Sequence, residues 1–262
     1  MVQVALYCIY VQYMPAVLAG NSQPIICNRD RDVLMLHYLL LLCLLTTSLA
    51  HASAPRTFNE AKKVAWKLYA KNPVEFYCGC RFSGNKVDLK SCGYVPRKNP
   101  ERAARIEWEH IVPAWTIGHQ RQCWRKGGRS HCAKTDLTFR RAEADLHNLI
   151  PSIGEVNGDR SNFGFGWLPQ QPSQYGACPM VVDFKARKAM PRKAVRGMVA
   201  RTYFYMAEQY ALRLSKQDQR LYAAWNKTYP VQKWELARNQ KIACVTGQGN
   251  RYVGPVDLKA CR

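Results

Sequence analysis

The stretch Arg105-Ile106-Glu107-Trp108-Glu109-His110-Ile111-Val112-Pro113 decides how this chain is read. From Ala104 to Val112 the residues alternate in character. Ile106, Trp108, His110 and Val112 fall on one face of an extended strand, and Glu107 and Glu109 fall on the other, because strand side chains alternate between faces. Two carboxylates beside a histidine near a strand end suit chemistry as well as packing. An unperturbed imidazole has a pKa of ~6.5, so it accepts a proton at neutral pH. A neighbouring carboxylate can hold a hard cation such as Mg2+, which takes oxygen ligands.

Downstream lies a loop rich in glycine and charge, including Arg125-Lys126-Gly127-Gly128-Arg129. Thr138 is expected to cap a helix running to about Leu149, which Pro151 ends. At about 100° per residue, Phe139, Ala142, Leu146, Leu149 and Ile150 form its apolar stripe, with Arg141 and Asn148 opposite. On that polar face Asn148 offers a neutral carbonyl oxygen to a divalent cation, and Arg129 and Arg141 are candidate phosphate clamps. Each of these residues alone is better explained by packing or solvation. The combination of strand His, adjacent Glu, basic loop and helical Asn has the composition of a one-metal phosphodiesterase site, built from a β-hairpin and a helix.

The surrounding chain reads as a single mixed α+β domain. Thr57-Phe58-Asn59-Glu60 is a capping box opening a helix through about Lys71, stopped by Asn72-Pro73, and residues 76–82 read as a strand. Residues 157–175 are loop-like. Long helices are expected over 192–213 and 217–227, the second with a Ser215/Asp218 capping box, and the tail after Gly247 has little periodicity. Such irregular alternation favours α+β over a doubly wound sheet.

Composition narrows the partners. The 262 residues carry 39 Lys and Arg against 18 Asp and Glu, a net charge of +21 that points to polyanions. A hydrophobic content of 47% excludes a disordered basic tail. Eight of the eleven cysteines lie beyond residue 52, which fits disulfides in an oxidising compartment better than zinc, because no Cys-x2-Cys pair recurs. They allow roughly a hundred pairings, so connectivity stays open. The run Leu39-Leu40-Leu41-Leu42-Cys43-Leu44-Leu45, followed by Ala50-His51-Ala52, has the form of a signal-peptide core and cleavage site. Residues 1–52 are therefore read as an N-terminal extension and signal peptide, with translation starting near Met35, and 53–262 as the mature domain. The apolar run is short for a membrane span, so no membrane anchor is expected after cleavage.

The strand stretch, continued through Ala114-Trp115, resembles the signature of the bacterial endonuclease I family, periplasmic or secreted nucleases of the ββα-metal (His-Me finger) class. The similarity extends through Gly118-His119-Gln120-Arg121-Gln122-Cys123-Trp124, Asp145-Leu146-His147-Asn148-Leu149-Ile150-Pro151, Gly154-Glu155-Val156-Asn157-Gly158-Asp159-Arg160-Ser161-Asn162-Phe163 and Ala200-Arg201-Thr202-Tyr203-Phe204-Tyr205-Met206. The resemblance implies a monomeric, Mg2+-dependent endonuclease with one metal ion per site. It would cut double- and single-stranded DNA with little sequence preference and leave 5′-phosphates, with RNA left open as a substrate. Position by position, His110 corresponds to the general base, Glu109 and Asn148 to the metal ligands, and Arg129 to the arginine steadying the cleaved phosphate. Arg125, Lys126 and Arg141 are weaker candidates for substrate contacts, and Glu107 reads as structural. A hydrogen bond should fix the His110 tautomer, through an acceptor the sequence does not name. The competing reading is a secreted cationic protein that binds DNA by charge alone. It accounts for the +21 and the cysteines but not for Glu109, His110 and Asn148 together.

Overall fold

In the computed structural model, which describes residues 54–169 and 174–261, the first element is helix α1 (Phe58–Tyr69). The expected signal peptide lies outside the described residues. Thr57 caps α1 by accepting from the Glu60 amide, while the Glu60 carboxylate accepts from the Arg56 amide. The strand expected over 76–82 does not form. These residues wrap around the fully buried Glu75, whose carboxylate accepts from the amides of Tyr77, Cys78, Gly79 and Cys80. A buried carboxylate must find donors, and that requirement overrides the β-propensity of Phe76-Tyr77. Only β1 (Arg81–Ser83) and β2 (Lys86–Asp88) pair there, as a short hairpin.

After a single turn of helix, α2 (Pro100–Ala103), comes β3 (Ile106–His110), followed by α3 (Ala114–Gly118) and α4 (Gln122–Thr135). The helix expected from Thr138 to Leu149 is α5 (Leu137–Glu143), capped by Asp136, which accepts from the Phe139 amide. It ends well short of Asn148. Residues 149–153 are instead strand β4 (Leu149–Ile153), antiparallel to β3, with His110 opposite Leu149 and Trp108 opposite Pro151. Every residue of β4 is buried, so it lacks alternation and its apolar residues fit a helical stripe equally well. Pro151 is tolerated because both strands of a two-stranded sheet are edges.

Helix α6 (Gly154–Arg160) follows β4 directly, so β3, β4 and α6 form a ββα unit where a loop is expected from residue 157. Gly154 makes the close approach possible, since a Cβ there would lie 2.6 Å from the Arg102 carbonyl oxygen. The C-terminal half adds a small sheet ordered β5 (Gly164–Phe165), β7 (Lys188–Met190), β6 (Val181–Asp183). Three helices then follow, α7 (Lys193–Tyr210), α8 (Lys216–Thr228) and α9 (Lys233–Thr246). The first two match expectation, including the Ser215 cap of α8. The third is additional, and its buried positions Glu235, Asn239, Ile242 and Ala243 mix polar with apolar residues, which obscures its period.

Disulfides join Cys78 to Cys178, Cys80 to Cys92, Cys123 to Cys132 and Cys244 to Cys261, which pairs all eight cysteines beyond residue 52. The fold is α+β and disulfide-stabilised. Among the described residues no helix is long and apolar enough to cross a membrane.

Candidate active site

His110 ends β3 with only 6% of its surface exposed. Phe58 of α1 covers it, the ring centroids 4.7 Å apart and the planes tilted by 41°. Its Nε2 lies 2.8 Å from the carbonyl oxygen of Glu143, the last residue of α5. Carbonyls in the last turn of a helix lack partners within it. A carbonyl can only accept, so Nε2 carries the proton and the Nδ1 lone pair is left for another partner. Glu143 is thus the tautomer-fixing acceptor. Burial, aided by the Arg129 and Arg160 charges and opposed by the Glu143 bond, lowers the imidazole pKa to about 4. The ring is neutral at physiological pH.

That shift has a consequence for stability. The unfolded chain takes up this proton first as pH falls, because its own pKa is ~6.5. The stability tied to the neutral buried ring is complete above that value and declines toward pH 4, by up to about 3 kcal/mol. Urea unfolding at pH 7 and pH 4.5 measures this, and His110→Phe should lose less stability over that interval than the wild type.

Glu109 lies on the opposite face of β3, as the alternation requires. Its Oε1 accepts from the Tyr77 hydroxyl at 3.0 Å and from Nη1 of Arg160 at 2.8 Å. Burial pushes this carboxyl up, and the Arg160 charge opposes the rise. Arg160 also donates to the carbonyls of His110 and Ile111, at 2.9 and 2.7 Å. Among the described residues, Oε2 of Glu109 has no side-chain donor. One turn before Arg160 on α6, Asn157 donates through Nδ2 to Glu107 at 3.0 Å, and its side-chain Oδ1 has no protein donor among the described residues. Burial raises the Glu107 carboxyl, but the bonds and charges of Arg102 and Arg105 outweigh it and hold the group below its ordinary value.

Asn148 is neither helical nor solvated. It is fully buried in the turn ahead of β4, its Oδ1 accepting from the Val112 amide at 2.7 Å and its Nδ2 donating to the Val112 carbonyl at 3.0 Å. The side chain anchors the segment that follows His110. Asn157 is the amide that reaches a carboxylate of β3, that of Glu107. The signal for it is a helix starting directly after the second strand, which a helical reading of 149–153 conceals.

The basic loop is in fact the kinked middle of α4. Gly128 takes the left-handed conformation with φ 62°, which glycine adopts without strain, and the Cys123–Cys132 bond spans the kink. Just past it, the Arg129 Nε donates to the Glu143 carboxylate at 2.6 Å, and its guanidinium lies 5.3 Å from the Phe58 ring centroid. Glu143 therefore holds the imidazole with its carbonyl and the arginine with its carboxylate. Arg125 and Lys126 are exposed on α4, and Arg141 is exposed on α5. His147 is buried against Tyr205, with Nε2 3.1 Å from the Gln248 carbonyl, and His119 stacks on Trp115.

The unshared oxygens of Glu109 and Asn157 are hard donors of the kind a small divalent cation takes, with water completing its shell. Among the described residues no group of three or more His, Cys, Asp or Glu side chains gathers to bind a metal.

Residues 45–256 match the family model described as Endonuclease I. An extracellular deoxyribonuclease from Aeromonas hydrophila is 53% identical over 219 residues, covering 82% of this chain and 95% of that protein. A periplasmic deoxyribonuclease from the same organism is 49% identical over 232 residues, covering 86% and 98%. An extracellular endonuclease from Pseudomonas fluorescens biotype A is 50% identical over 235 residues, again covering 86% and 98%.

Proposed function

This chain belongs to the endonuclease I family and is a nuclease, and we propose that it is a periplasmic or secreted deoxyribonuclease whose His110 site hydrolyses DNA phosphodiesters in a Mg2+-dependent reaction. The substrate is duplex or single-stranded DNA cut with little sequence preference, and the products carry 5′-phosphates. The observation carrying this reading is the neutral His110, with its Nε2 proton anchored on Glu143 and Nδ1 left as a base, one residue from Glu109. The paired cysteines and the names of the relatives support export, with residues 1–52 as extension and signal peptide and 53–262 as the mature nuclease domain.

Phosphodiesters resist attack because the phosphate is anionic and the leaving alkoxide is poor. His110 takes a proton through Nδ1 from the attacking water, a role that contributes roughly 10²–10⁴-fold. The Nε2 proton stays on the ring, donated to the Glu143 carbonyl, which holds the ring in this orientation. Glu109 and Asn157 would hold the Mg2+, with Asn148 positioning Val112 rather than ligating. When bound, the ion supplies charge stabilisation to the scissile phosphate and the departing 3′ oxygen. Arg129, 46% exposed and aimed by Glu143, steadies the cleaved phosphate. Arg125, Lys126 and Arg141 are surface cations placed to meet the DNA backbone.

Incubation of supercoiled plasmid with the protein tests this reading. Fragmentation with Mg2+ that stops on adding EDTA, with 5′-phosphate ends on the fragments, is the expected result. Retardation of the plasmid without cleavage would replace the enzyme with a charge-driven DNA binder.

A further inference from the structure

Helix α3 displays an aromatic pair that the hydrolytic reaction does not use. Trp115 is 45% exposed, and His119, one turn later, lies flat against it with ring centroids 3.9 Å apart and planes 6° from parallel. His119 is fixed in turn by a 2.8 Å hydrogen bond between its Nδ1 and the Trp115 carbonyl. Ala114, Ile117 and Gly118 bury the other side of α3. The indole is therefore held rigidly, one face on the imidazole and much of its surface in water. Single exposed apolar residues are ordinary. A pre-stacked, immobilised indole is different, because the entropy of ordering it is lost before any ligand arrives.

Its position relative to the chemistry is also fixed. Trp115 follows His110 by five residues, which limits their Cα separation to at most ~18 Å. Arg160 ties down the carbonyls of His110 and Ile111, Asn148 clasps Val112 on both sides of its peptide, and Pro113 leads directly into α3. Helix α4, which bears the exposed Arg125, Lys126 and Arg129, packs against α3. Gly118 allows that contact, since a Cβ there would lie 1.8 Å from a Trp124 ring carbon. A polyanionic strand drawn to the cations of α4 would thus lie next to α3, the helix that carries this flat aromatic surface.

We propose that the Trp115–His119 pair is a stacking platform for an unpaired nucleobase of the bound DNA strand, a few nucleotides from the scissile phosphate. Every nucleobase presents a π face, so such a platform holds a single strand without reading its sequence. Duplex DNA keeps its bases stacked internally and gains little from it. The proposal rests on the DNA nuclease reading above and adds to it a preference for base-bearing single strands.

The test measures binding of purified protein to a short oligothymidylate and to a strand of equal length and charge made of abasic sites, with Ca2+ replacing Mg2+ to suppress cleavage. Wild type should bind the base-bearing strand about tenfold more tightly, in line with stacking on one aromatic residue. Trp115→Ala should bind both strands alike, near the wild-type abasic value, with duplex affinity changed less than about twofold. Trp115→Phe should keep most of the preference. A Trp115→Ala variant that retains the base preference, or that weakens both strands equally, would overturn the platform. If the alanine variant does not fold, a wild type that fails to discriminate the two strands refutes it equally. Failure of the nuclease reading shows separately, as wild type that leaves plasmid uncut in Mg2+.

Discussion

His110→Ala removes DNA cleavage, by about 10²–10⁴-fold in kcat, while DNA affinity measured in Ca2+ stays within about twofold of wild type. The reasons run from the strand outward. His110 is the one titratable group of the site whose neutral form is enforced from several sides, by Phe58 over its face, by burial and by the nearby cations Arg129 and Arg160. The Glu143 carbonyl then dictates which nitrogen is the base. Alanine supplies neither a base nor a partner for that carbonyl. An orphaned buried acceptor and a lost ring contact cost about 1–3 kcal/mol, so the variant should be less stable yet folded. Its binding should persist because Arg125, Lys126 and Arg141, the cations proposed to meet DNA, lie on α4 and α5, outside the deleted group. An alanine variant within about threefold of wild-type activity would remove His110 from the mechanism.

β3 was legible in the sequence because its two faces meet different things. Glu107 and Glu109 meet Asn157 and Arg160 of α6, whereas His110 meets the aromatic ring of Phe58 in α1. One polar and one apolar surround write a period of two into the chain. β4 has no such contrast, being buried on both sides, and its Ile-Pro pair reads as the end of a helix. That one misreading moves Asn148 onto a helix and hides α6 and Asn157. The turn around Glu75 is invisible for another reason. Four amides converge on one carboxylate over successive residues, and no spacing rule of side chains records what backbone N–H groups do. The clasp of Arg129 to Glu143 likewise depends on a kink at Gly128 that brings two separate helices together.

Arg160→Met should destabilise the protein by about 3–5 kcal/mol, even though methionine fills much of the arginine's volume and suits an apolar surround. Arg160 is fully buried, its guanidinium 4.6 Å from the Phe165 ring centroid, and it is the only cation hydrogen-bonded to Glu109 among the described residues. Removing it leaves a desolvated carboxylate without its countercharge and two carbonyls, of His110 and Ile111, without this donor. The melting temperature should fall by roughly 10 °C, at about 2–4 °C per kcal/mol for a domain of this size. Activity should vanish as well, because the carbonyls that Arg160 grips fix the backbone that follows the proposed base His110. A second substitution separates buried charge from lost packing. Arg160→Met combined with Glu109→Gln should recover much of the stability, since a neutral amide needs no countercharge. It should remain inactive, since the proposed metal site then loses its only anionic ligand. Arg160→Lys should fall between these, keeping the charge while losing the fork that spans two carbonyls and a carboxylate. If the double variant is no more stable than Arg160→Met, the destabilisation comes from packing, and Arg160 is a space-filling residue rather than the electrostatic keystone of the ββα unit.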